Sequence, residues 1–447
     1  MITVDTNTAD TLIPSRLYKA VVVCLFLILM GILSDILYLG TAFPSLAVDD
    51  TPTRVPVIFA TIPLYLFVLS RLFTNGRRIL RVSQTFASFV PLLLFCVVSA
   101  AWSTDPGGTF RRAIFFVFTA LVGFVLGADF EVGELGRLLA AACLIHIALC
   151  AVFYVVSPSL LYSPVDAHSL KGLTIHKNVF GFEQGLAVLV FLFVPFRRFL
   201  KLRFPLAAVA GVLLFLSYST GSLIALICSL ALLPFLSIVR LRGISRIPFM
   251  LLSLVAIAGA SVALFLNASD IPRLFSKSSD LTGRTELWSL VLIAISHHPL
   301  LGYGFDSFWQ GFQGDSLMII REVGWFVPHA HNGYLDLLLG VGYLGAMLFV
   351  PPLLQAIYRA LRYLTMENTS SRFFPIAFII FWLVYNLNES YLLTRNGAHF
   401  TLFVAFSTSI AVSMSQHEAR CMAVPDYSSG LECYSLPAEF VEHQPLS

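Results

Sequence analysis

Apolar residues in this chain come in long unbroken blocks, not in the alternating or 3.6-residue stripes of a half-buried strand or surface helix. The first block runs from about Lys19 to Leu39, and others follow almost to the end of the chain. A helix needs about 20 apolar residues to cross a bilayer. Against that length the sequence predicts about twelve spans, at 18–39, 55–73, 86–102, 112–128, 136–156, 179–196, 205–219, 221–239, 248–266, 332–350, 373–388 and 398–415. Leu206 to Leu236 can also be taken as one block. The small polar residues Tyr218-Ser219-Thr220-Gly221 in its middle favour a helical hairpin. The first block is longer than a signal-peptide core and lacks a clear cleavage site, so it is expected to be a retained span.

Polar residues gather between the blocks, and the cations are unevenly shared. Arg71, Arg77, Arg78 and Arg81 fall in one set of loops, with Arg197, Arg198, Lys201 and Arg203, then Arg240, Arg242 and Arg246, then Arg359, Arg362 and Arg372. The alternate set is poorer, holding Arg54, then Arg111 and Arg112, then Lys171 and Lys177, then Arg395. The rich set should face the cytoplasm. The expected layout is a cytoplasmic tail over 1–17, nine helices over 18–266, an extracytoplasmic loop over 267–331, three helices over 332–415 and a cytoplasmic tail over 416–447. That loop is too long to be structureless in a compact domain, and it is predicted to be a folded cap. Within it, Leu287, Trp288, Leu290, Val291 and Ile295 are spaced as on one helix face.

Composition sharpens this picture. The 447 residues are 57% hydrophobic and 12% charged, with a mean hydropathy of +0.84. A soluble domain carries about twice that charge, so the fold class is an all-α integral membrane protein and not a soluble domain with an anchor. The net charge of +3 gives no ground for a nucleic-acid partner. Seven cysteines show no paired spacing, and no Cys/His pattern predicts a metal.

Candidate chemistry lies where polar loops enter apolar blocks on the cation-poor side. His331 and Asn332, with His329 just before them, are expected to begin the membrane helix of the block from Gly333 to Pro351. A helix N-terminus offers unpaired N–H groups and a partial positive charge, which suits a phosphate and favours a proton-accepting imidazole. Asp336, four residues after Asn332, is placed to orient it. Arg284, in Leu281-Thr282-Gly283-Arg284-Thr285-Glu286, opens the loop helix with Thr282 or Gly283 as its cap, where a planar fork fits a phosphate. His176 and Lys177 precede another span, and Glu183 lies inside it, with Lys177 or His176 as expected partners. Arg111 and Arg112 follow Trp102-Ser103-Thr104-Asp105-Pro106 on the same side. Asn386, Asn388, Glu389 and Arg395 ring the last turn there and can touch a sugar. Taken singly, each of these is also what a helix cap or an interfacial flank looks like.

Together these segments resemble the O-antigen ligase and polysaccharide polymerase superfamily, particularly its exopolysaccharide-production branch. His331-Asn332 is followed after nine residues by Gly342-Tyr343-Leu344-Gly345, then by Ala346 where the family often has Thr. Gly283-Arg284-Thr285 and the run from His298 to Phe308 are similar too, with weaker matches at Trp102 to Pro106 and His176-Lys177-Asn178. The resemblance covers roughly residues 90–350. It implies a fold of glycosyltransferase C type with no cofactor, metal or nucleotide sugar. The substrate implied is an undecaprenyl-diphosphate-linked oligosaccharide and the acceptor a glycan, handled at the outer face of a bacterial cytoplasmic membrane. Flippase and chain-length regulator proteins are the neighbours such an enzyme would have. His331 would match the family's general base, with Asn332 and His329 in support, and Arg284 an arginine that holds the diphosphate. A second family arginine, after Ser-x-Ser, has no counterpart in Ser217-Tyr218-Ser219-Thr220-Gly221. Lys177, Arg111 and Arg112 are the candidates to replace it. The expected activity is polymerisation of lipid-linked repeats, with glycan transfer onto lipid A core as the alternative. A transporter or flippase is the rival from another class. It is disfavoured because no internal repeat is evident and the polar candidates cluster on one face.

Overall fold

The computed structural model describes residues 15–32, 54–163, 168–195, 200–237, 284–366 and 369–422. Its α-helices are α1 (Arg16–Leu29), α2 (Arg54–Val82), α3 (Val90–Val98), α4 (Pro106–Asp129), α5 (Val132–Val156), α6 (Lys177–Phe193), α7 (Arg203–Leu216), α8 (Thr220–Ser237), α9 (Arg284–His297), α10 (Gly314–Val323), α11 (Gly333–Met366), α12 (Phe374–Tyr385) and α13 (Ala398–Met422). This is an all-α membrane protein. Five helical stretches, Thr61–Ala101, Pro106–Asp129, Val132–Val156, Gly333–Met366 and Ala398–Glu418, are long and apolar enough to cross a bilayer. Arg203–Leu216, Thr220–Leu233 and Ser370–Tyr385 are shorter apolar helices. Twelve spans are therefore not counted among the described residues. The expected span 248–266, the arginines 240–246 and the cap candidates Thr282 and Gly283 lie outside them. The predicted break at 218–221 is present as the joint between α7 and α8.

The bundle is tightest between α4 and α13. Gly123 and Gly127, one helical turn apart, make this possible. A Cβ on either would strike the backbone carbonyl of Thr401 or Ala405. Small residues at this spacing let membrane helices approach until dispersion contacts hold them, since lipid supplies no hydrophobic drive. At the far end of α4, Asp129 accepts from the Tyr18 hydroxyl at 2.6 Å and pairs with Arg71 at 2.8 Å, tying α1, α2 and α4 together.

The long connection is anchored to α11 at a break in that helix. Gly342 has φ 62° and ψ −170°, a conformation essentially reserved for glycine. The break frees two backbone donors: Tyr343 N–H bonds Pro299 O at 2.8 Å and Leu344 N–H bonds Leu300 O at 3.0 Å. Tyr303 N–H returns to Leu339 O at 2.8 Å. The Gly-x-x-Gly run and the His298-Pro-Leu-Leu-Gly run are thus the two halves of one junction. A Cβ on Gly342 would collide with the Leu300 carbonyl, so this contact needs the glycine. From the junction, α9 and α10 fold over the end of α11 around Leu287, Val291, Phe308 and Ile320.

Candidate active site

The entrance to α11 builds the site. Asn332 is the cap residue: its Oδ1 accepts from Tyr334 N–H at 3.1 Å and Leu335 N–H at 3.3 Å, a contact worth about 1 kcal/mol. Its own N–H donates to Ser390 Oγ at 3.1 Å. Gly333 N–H donates to the carbonyls of Asn386 and Glu389 at 2.8 and 2.9 Å, in a space that a side chain would close. The residues before α11 are therefore clamped onto the turn between α12 and α13.

This clamp corrects two expectations. His331 does not open the helix but precedes its cap, at φ 49° in the left-handed region, an uncommon backbone for a residue with a Cβ. Nor does Asp336 orient the Asn332 side chain. Its Oδ1 accepts from Trp309 Nε1 at 2.6 Å and its Oδ2 from Ala330 N–H at 3.0 Å, so it tethers the long connection. Helical spacing names neighbours on the same helix, but a carboxylate in the first turn takes the strongest donors that fold over it.

Glu389 is the centre of the cluster. Its carboxylate is 3% exposed and is reached from three other segments. Asn178 Nδ2, in the first turn of α6, donates to Oε1 at 2.5 Å. Arg284 Nη2, at the start of α9, donates to the same oxygen at 3.2 Å. His331 Nδ1 lies 3.4 Å from Oε2. Burial alone would raise the pKa of Glu389, but contact with His331 and the nearby His329 and Arg284 bring it down to about 2. It is a carboxylate at any working pH. Arg284 is held further by Asn388, through the backbone carbonyl at 2.9 Å and the side-chain oxygen. Nη1 and Nη2 of the guanidinium are thus both engaged. His331 and Arg284 keep 16% and 13% of their side chains exposed, so a substrate can reach both.

His329 supports His331. The two rings lie 4.2 Å apart, and His329 Nδ1 accepts the His331 backbone N–H at 3.2 Å. Burial, then the neighbouring His331 ring, pushes its pKa down to about 3, so this imidazole is neutral. His329, His331 and Glu389 also bring ligand atoms within 4.8 Å of one another, a set able to hold a metal ion. Arg284 already places a cation on that carboxylate.

The other predicted residues divide between this cluster and elsewhere. His176 caps α6 through its Nδ1, which accepts from Asn178 N–H at 3.2 Å, and its charge environment includes Glu389, His331 and Arg284. Lys177, next to it, donates to Ser169 Oγ at 3.1 Å. Glu183 pairs with neither. Its carboxylate lies 3.0 Å from His146 Nδ1 of α5, because His176 and Lys177 are nearly two turns away along α6. Arg112 pairs with Asp105 at 3.0 Å, and Arg111 is exposed. The turn before them fastens the long connection, through Trp102 Nε1 to Leu301 O at 3.2 Å and Ser103 Oγ to Ser307 Oγ at 2.8 Å. Neither arginine is brought into contact with Arg284 or His331 among the described residues.

Residues 205–350 match the model of the O-antigen ligase family. A further comparison agrees: the chain is 25% identical over 307 residues to the exopolysaccharide production protein ExoQ of Rhizobium meliloti (strain 1021), covering 64% of this chain and 69% of that protein. Both comparisons support the resemblance to the O-antigen ligase and exopolysaccharide polymerase superfamily. It is a multi-pass membrane protein similar to proteins of the ligase and polymerase type. The family match takes in Arg284, His331 and the Gly342 break, while Glu389 lies beyond it.

Proposed function

We propose that this protein polymerises undecaprenyl-diphosphate-linked oligosaccharide repeats into exopolysaccharide, at the outer face of a bacterial cytoplasmic membrane. The observation that carries the reading is Glu389, one buried carboxylate holding an imidazole and a guanidinium side by side. With Nδ1 facing Glu389, the imidazole of His331 uses Nε2 as its base. The acceptor hydroxyl attacks the anomeric carbon of the lipid-linked sugar and gives its proton to that nitrogen. The bond from the anomeric carbon to the diphosphate oxygen breaks, and the polyprenyl diphosphate leaves with the electron pair. Glu389 steadies the imidazolium that forms, as a carboxylate does for any His base it orients. Arg284 meets the growing charge on the leaving group. Attack opposite the leaving group inverts the anomeric centre, and the cationic work is assigned to Arg284 and not to a metal. Both termini are assigned to the cytoplasm, from the arginine-rich loops.

The similarity to an exopolysaccharide production protein supports polymerisation. The family description supports a second reading, transfer of finished glycan onto lipid A core. Deleting the gene separates them. Loss of long exopolysaccharide with O-antigen attachment intact is expected; loss of O-antigen attachment with exopolysaccharide intact would select the ligase.

A further inference from the structure

A cavity of about 450 Å³ adjoins the cluster, within the size range of small-ligand sites. It lies between the long connection, the start of α11 and the turn before α13. His329 lines it, whereas His331, Arg284 and Glu389 do not. Its charge does not suit a diphosphate. Two carboxyl groups, Asp306 and Asp336, face one guanidinium, Arg395, and that guanidinium is already paired with Asp306. Its walls instead combine flat aromatic faces with fixed hydrogen-bonding groups.

The aromatic wall is Phe305, Phe308 and Trp309. Phe308 and Trp309 meet edge to face at 4.9 Å, and the bond from Trp309 Nε1 to Asp336 sets the indole plane. The polar groups are equally fixed. Because His329 Nδ1 accepts a backbone N–H, the neutral ring carries its proton on Nε2 and is a donor there. Asn396 Oδ1 accepts the Tyr65 hydroxyl at 2.8 Å, so its amide nitrogen is the donor end. Asp306 and Asn396 both hold left-handed backbone, at φ 54° each, on two segments joined across the rim by the Asp306–Arg395 pair. Such backbone persists where surrounding structure determines it, and it gathers at binding sites.

We propose that this cavity is the subsite for a neutral sugar unit of the acceptor glycan, stacked on Trp309 and hydrogen-bonded by His329 and Asn396. The inference rests on the glycosyltransferase reading and assigns the acceptor to one side of the paired histidines. A sugar seated there touches His329, whose ring lies 4.2 Å from that of His331. The subsite therefore adjoins the base through His329.

The test is saturation-transfer NMR on the purified full chain in detergent. The probe is a set of short oligosaccharides released by mild acid from the host's own exopolysaccharide. Wild type is expected to bind them, with no displacement by inorganic diphosphate. Trp309→Leu and Asn396→Asp should each weaken binding about tenfold. If Trp309→Leu fails to fold, Asn396→Asp decides alone. No binding by wild type, wild-type affinity in the variants, or displacement by diphosphate would overturn the subsite. Because the readout is binding, the two readings fail separately. A protein that binds here but joins no sugars keeps the subsite and loses the transferase, and the converse loses only the subsite.

Discussion

Two histidine–carboxylate pairs stand among the described residues, and their surroundings give them different work. His146 and Glu183 face each other at 3.0 Å between α5 and α6, with 0% and 4% of their side chains exposed. His331 and Glu389 are 3.4 Å apart at the end of the bundle, and the imidazole keeps 16% exposure. Glu389 is also approached by Arg284 and Asn178 from two further segments. The first pair is sealed and joins two helices; the second is open on one side and carries a guanidinium. The same two residue types thus make a helix pin in one place and a reaction centre in the other. What separates them is access and the number of chain segments that converge.

The comparison can be broken most sharply at the base. His331→Ala should lower polymer formation by about 10²–10⁴-fold, the range of general base catalysis, with the protein still in the membrane. This is read as polysaccharide chain length beside an immunoblot of membranes, and wild-type chain length would remove His331 from the chemistry. Arg284→Lys is expected to have a smaller effect, since it keeps the charge and loses the fork. A drop of about 10–100-fold in kcat/KM for the lipid-linked donor corresponds to one lost charge-assisted bond. Full activity would make Arg284 a structural link between α9 and the turn at Glu389.

The sequence made some of this arrangement legible and hid the rest for a physical reason. Unbroken apolar blocks announce membrane helices, and the small polar residues at 218–221 announce a break, because both signals are local. Glycine at 342 and the run at 298–304 could be noticed as motifs, but that they form one junction depends on a fold-back no periodicity encodes. Arg284, His331 and Asn332 were found because each stands beside a helix start. Glu389 was legible only as one polar residue in a turn. Its role comes from Asn178, Arg284 and His331, each far from it along the chain. The same limit misplaced Glu183 and Asp336, whose partners sit on other elements. Helical spacing reveals faces, and it does not reveal which face of another helix will meet them.

The most direct test of the account is to assay purified Glu389→Gln and Glu183→Gln side by side, with lipid-linked donor and acceptor glycan, fitting kcat and KM separately. Each substitution keeps size and removes one carboxylate, so only the surroundings differ. Glu389→Gln should lose about a hundredfold or more in kcat, as a base without its orienting carboxylate does. Glu183→Gln should keep kcat within about threefold and show its cost in a lower Tm, because breaking a buried pair is worth about 3–5 kcal/mol of stability. A Glu389→Gln enzyme with wild-type kcat, or a Glu183→Gln enzyme that folds normally but cannot turn over, would contradict the assignment of the reaction to the Glu389 cluster.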